Sequence, residues 1–130
     1  MNSKIAILAA ALMAVCLFSG SAMAAYPASI AGTWTAHANQ TSLTIVIKQG
    51  STGTCRALSG TIGSDDLEGF YCPATGRFNF ALNVSPSGLT VQYYSGNVST
   101  TGNTLFMGGI FSSINAEGGV LGEYSFSAFK

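Results

Sequence analysis

From Ile30 to Phe129 apolar and polar residues alternate with period two, and clusters of Gly, Asn, Ser and Pro interrupt the alternation at short intervals. The pattern predicts eight strands: Gly32–Ala38, Ser42–Gln49, Thr54–Ile62, Asp65–Cys72, Gly76–Val84, Leu89–Ser99, Asn103–Ser113 and Val120–Phe129. The connections suit hairpins, and none is long enough for a crossover helix. Leu43, Ile45 and Ile47 share one face of the second strand, Phe78, Phe80, Leu82 and Val84 one face of the fifth, and Tyr124, Phe126 and Ala128 one face of the last, so the ribbon has an inside. Hairpins in succession, without a long return connection, favour an all-β, eight-stranded antiparallel up-and-down barrel over a two-layer sandwich, because closure removes both exposed edges.

Before the alternation begins, Met1–Lys4 is a short basic start, Ile5–Phe18 is an apolar run, and Ser19–Ala24 is small and ends in Ala22-Met23-Ala24. This is the order of a signal peptide with its cut after Ala24. The apolar run is shorter than the ~20 residues a membrane-spanning helix needs. Residues 1–24 are read as leader and 25–130 as a single β-barrel domain of an exported protein, periplasmic or secreted, and the compact leader suits a bacterial source.

Removing the leader removes Cys16 and leaves Cys55 and Cys72, an even number in an oxidising compartment, which predicts one disulfide between them. If Gly63-Ser64 is a two-residue type II′ turn, the third and fourth strands pair so that Cys55 stands opposite Cys72 at a non-hydrogen-bonded site, with Cα atoms about 4.5 Å apart. The alternative is a longer loop over Gly63–Asp66 and a diagonal disulfide.

Charge is sparse. The 130 residues carry five Lys plus Arg, five Asp plus Glu and one His, for a net charge of zero. That excludes a polyelectrolyte tail and a phosphate-neutralising surface, so no nucleic-acid partner is expected. His37 is the only imidazole, and nothing in the sequence places a carboxylate beside it. Asp65, Asp66 and Glu68 cluster near a hairpin tip and read as a wet acidic turn rather than a catalytic pair or cation site. One His and two paired Cys cannot build a zinc site. The reading is therefore of a protein that is not an enzyme, with no catalytic residues, no metal ligands and no cofactor. It is also read as not membrane-spanning; low charge and the penultimate Phe129 allow an outer-membrane barrel, but the mixed side chains of the strands argue against it. Phe106, Ile110 and Tyr93 fall on the outward faces of their strands, and a homo-oligomer contact is the ordinary explanation for such residues.

Four short motifs occur in order: Gly32-Thr33-Trp34, Leu58-Ser59-Gly60-Thr61, Tyr94-Ser95-Gly96-Asn97 and Gly122-Glu123-Tyr124-Ser125-Phe126. Together they resemble the calycin barrels, and among these the avidin and streptavidin side in particular. The resemblance implies a small barrel that holds one ligand at its mouth, with Trp34, Tyr94 and Tyr124 as the ligand contacts. It also implies that biotin is not the ligand. Where the family carries an Asn two residues beyond its first Trp this chain has Ala36, Ile62 replaces the Tyr of the second motif, Tyr94 replaces a stacking Trp, and Tyr124 replaces a carboxylate. Ser64 matches a family Ser but is expected in a turn. Several unpaired polar groups on a buried ligand would abolish tight binding.

Two function classes follow: an exported non-enzymatic small-molecule binder, or a secreted or periplasmic protein acting by protein–protein contact, as an inhibitor, adhesin or surface antigen.

Overall fold

The computed structural model describes residues 26–84 and 90–130. The leader read over Met1–Ala24 lies outside the described residues, as does the turn expected at Ser85–Gly88. Eight strands follow in chain order: β1 (Gly32–Ala38), β2 (Thr41–Gln49), β3 (Arg56–Ile62), β4 (Asp65–Cys72), β5 (Arg77–Asn83), β6 (Thr90–Thr101), β7 (Thr104–Asn115) and β8 (Val120–Phe129). They form one closed antiparallel barrel, β8 returning to pair with β1 through Ala36 opposite Ala128 and Ala38 opposite Phe126. No helix among the described residues is long and apolar enough to cross a membrane.

At the β1–β2 and β6–β7 hairpins, tight turns move the strand bounds from those expected. Asn39 and Gln40 both adopt positive φ, 44° and 67°, as a type I′ turn requires, so Thr41 already pairs with Ala38 and belongs to β2. Gly102 (φ 59°) opens a two-residue turn with Asn103, and Thr101 pairs with Thr104 across it, so β6 runs on past Ser99 to Thr101 and β7 starts at Thr104; at its other end β7 continues past Ser113 to Asn115. At Gly63 (φ 60°) the turn is as short as the sequence implied. Ile62 faces Asp65 and Arg56 faces Tyr71 on one uninterrupted register. That register carries Cys55 to Cys72, and the two form a disulfide with Cα atoms 4.1 Å apart. The longer loop and diagonal bridge are excluded. The Gly108-Gly109 pair lies in a regular ladder; the register shift falls at Ser113/Ile114, beside the β7–β8 hairpin.

Inward side chains fill the barrel unevenly. Ile45, Ile47, Leu58, Ile62 and Leu67 are buried along β2 to β4. Along β5 to β8 the filling is aromatic: Phe78, Phe80, Tyr94, Phe111 and Tyr124 follow one another with centroid separations of 5.6, 4.9, 4.9 and 5.2 Å, and Phe126 meets Phe78 and Tyr94 edge-on. These are the offset and edge-to-face geometries that aromatic quadrupoles favour.

Residues ahead of β1 close one end. Ile30 is fully buried, its N–H donating to Gln49 Oε1 at 2.9 Å; Gln49 Nε2 donates to the Ala28 carbonyl at 3.0 Å, and the Tyr71 hydroxyl to the Pro27 carbonyl at 2.7 Å. Tyr26 lies over Gly76 in the β4–β5 turn. The segment from Tyr26 to Ile30 thus crosses from β5 past β4 and β2 to β1, pinned by backbone carbonyls that would otherwise face a packed apolar end.

Candidate ligand cleft at the barrel mouth

At the opposite end, where β1 turns into β2 and β7 into β8, a cleft of about 390 Å³ opens. Inward positions of β6, β7 and β8 supply its aromatic wall, Tyr94, Phe111 and Tyr124, completed by Leu43 and Leu121. Asn39, Thr41, Gln92 and Ser113 supply its polar groups. Four further depressions, of about 300 to 450 Å³, lie on the outer wall among outward side chains such as Lys48, Glu68, His37 and Asn97. Of these five, only the mouth cleft is lined by the aromatic row Tyr94, Phe111 and Tyr124.

The register explains how this constellation forms. Gln92 stands directly opposite Ser113, and one inward step deeper Tyr94 stands opposite Phe111, which in turn faces Tyr124 on β8. A polar pair therefore sits above an aromatic row. The Tyr94 ring forms the floor, stacked between Phe80 and Phe111 at 4.9 Å each, and its hydroxyl donates to Gln92 Oε1 at 2.8 Å. Burial pushes that hydroxyl up to about 12, so it remains a neutral donor across the physiological range. Ser113 is only 7% exposed yet reaches the cleft, and no hydrogen bond engages its hydroxyl among the described residues. At the far lip, the Tyr124 hydroxyl donates to the Leu121 carbonyl at 3.3 Å, holding the ring along its own strand.

Of the three residues singled out from the sequence, Tyr94 and Tyr124 meet at the cleft through Phe111, and Trp34 does not join them. Trp34 is fully buried near the opposite end, where its Nε1 donates to the Ile30 carbonyl at 2.9 Å and the Lys130 ammonium lies 5.3 Å from its ring centre. Lys130 also donates to the Ala31 carbonyl. Gln92, Phe111 and Ser113 were not singled out. The signal was present, since Gln92 and Ser113 are polar residues at inward-facing positions, two residues from Tyr94 and Phe111 on the same faces.

His37 is exposed on the outer wall, its Nδ1 3.0 Å from the Ser42 hydroxyl, and no carboxylate joins the pair among the described hydrogen bonds. Asp66 and Glu68 point outward from β4. Among the described residues, no three His, Cys, Asp or Glu side chains lie close enough together to hold a metal ion. No protein-family model, curated protein or solved structure matches the chain.

Proposed function

We propose that the protein is an exported, non-enzymatic binding protein that holds a small molecule at the mouth of its barrel. One observation carries this reading: an otherwise filled, aromatic interior opens at one end into a cleft lined by inward polar groups, among them Gln92 and Ser113. Ligand sites of this kind combine apolar walls with a few placed hydrogen-bonding groups. Export is supported by the Cys55–Cys72 disulfide, which persists in oxidising compartments, together with the leader pattern of residues 1–24. A water-facing barrel is supported by the outward residues Thr33, Thr35, Thr44, Lys48, Ser59 and Glu68, which are polar over an apolar inside, the reverse of a lipid-facing wall. Kinship with avidin-like barrels rests on the four sequence motifs, and the replacements at Ala36, Ile62 and Tyr124 speak against biotin.

Native mass spectrometry of protein taken from the exported fraction tests the reading. A stoichiometric small-molecule adduct lost on Tyr124→Ala substitution is expected; adduct-free protein that also fails to bind any member of a diverse fragment set at the mouth overturns it.

A second reading, action through protein contact or self-association, is favoured by the outer wall of β6 to β8. There Phe106, Ile110 and Phe129 are 42 to 44% exposed, with uncharged Ser95, Asn97, Ser125 and Ser127 around them. Sedimentation of the wild type and an Ile110→Asp variant distinguishes the readings: this one requires an assembly that the variant dissolves.

A further inference from the structure

The geometry points to a specific ligand class for the mouth: an uncharged molecule with a flat apolar body and a carboxamide-like head, the body against Phe111 and Tyr124 and the head between Gln92 and Ser113. The inference rests on the reading of the mouth as a ligand site and adds what that site selects.

Three features carry it. Among the described residues, no Lys, Arg, His, Asp or Glu lines the cleft. A charged ligand would lose hydration there without meeting an opposite charge, a heavy penalty in a partly desolvated site. Next, Tyr94 and Phe111 stack on one another within 15° of parallel, and Tyr124, tilted 35° from Phe111 with its centroid 5.2 Å away, ends the row, so a ligand meets the edge of Phe111 and the outer face of Tyr124, a face that accommodates a flat group better than a bulky one. Finally, the polar pair above this face has defined capacity. Gln92 Oε1 already accepts from Tyr94, so the Gln92 carboxamide offers its Nε2 hydrogens as donors. The Ser113 hydroxyl, directly opposite in the ladder, can both donate and accept. A carbonyl accepting from Gln92 Nε2, with a neighbouring N–H donated to Ser113 Oγ, satisfies both, whereas a purely apolar ligand would cover Ser113 and leave it unpaired.

The test uses benzamide, benzoate and benzamidinium, which share an outline and differ in charge, titrated into the oxidised protein while backbone amide resonances are followed by NMR. Benzamide is expected to shift Gln92, Tyr94, Phe111 and Ser113 and to bind roughly tenfold or more tightly than either ion. Ser113→Ala and Gln92→Leu should each weaken benzamide severalfold while leaving the ladder resonances of β2 to β4 in place. Equal or tighter binding of either ion at the mouth overturns the selectivity and leaves the binding-protein reading standing. If no probe shifts these residues but the native adduct of the previous experiment maps to the mouth, the class is wrong and the site stands. Without probe binding and without an adduct, both fall.

Discussion

The phenol ring of Tyr124 lies directly over Gly122, two residues earlier on β8, so that a Cβ at position 122 would collide with it. Gly122 also adopts φ 153°, a conformation side chains disfavour. Gly122→Ala is therefore expected to destabilise the barrel by about 2 kcal/mol or more and to swing Tyr124 out of the mouth. Gly102→Ala is the control, because φ is 59° there and nothing stands within 4 Å; strain alone should cost about 1 kcal/mol. Urea unfolding of both variants checks the comparison, and equal losses would mean that the Tyr124 contact contributes nothing.

Gln40 occupies the second position of the β1–β2 turn at φ 67°, where glycine is at home. Gln40→Gly should stabilise the fold by about 1 kcal/mol, read as a higher urea midpoint with an unchanged slope.

The Cys55–Cys72 bridge links residues 17 apart in sequence on adjacent strands. Cys55→Ser combined with Cys72→Ser should lower stability by about 3 kcal/mol, with the far-ultraviolet circular dichroism still that of a sheet. A loss below about 1 kcal/mol would show that the β3–β4 pairing alone already constrains this loop in the unfolded ensemble.

Alkaline pH should unfold the protein in a defined window. Burial pushes the Tyr94 hydroxyl from 10.0 up to about 12, and burial followed by the neighbouring Tyr26 does the same to Tyr71. Both folded values are raised, so between about pH 10 and 12 the unfolded chain has released protons that the folded barrel retains. Stability that is complete below pH 10 thus falls as pH rises through that window. Lys130 acts in the opposite sense, its ammonium pushed down by burial, so raising the pH toward 10.5 relieves its penalty. Melting temperatures from pH 8 to 12 should drop above pH 10, and Tyr71→Phe and Tyr94→Phe should each flatten the drop.

Trp34 reports on the wrong end of the barrel for the ligand. Its emission should stay constant while benzamide fills the mouth and change on unfolding, since its ring is packed near Ile30 and Lys130. A wavelength shift on probe binding would show that the two ends communicate.

Much of the architecture was legible along the chain. Strict alternation fixes which side chains face inward, and Gly63 with the Cys55 and Cys72 spacing fixes one hairpin register, because both are local consequences of backbone geometry. The bounds of β1, β4 and β8 were read as they stand, while β6 ran on to Thr101 because Gly102-Asn103 turns in two residues. What alternation cannot encode is height within the cylinder. Trp34, Tyr94 and Tyr124 all face inward, yet how far each lies from the mouth depends on the stagger accumulated over eight pairings and on closure of β1 against β8. That long-range sum sent Trp34 to the end sealed by Tyr26 to Ile30 and set Gln92 against Ser113 above Phe111, so the inside came from the sequence and the site from the way the sheet closes.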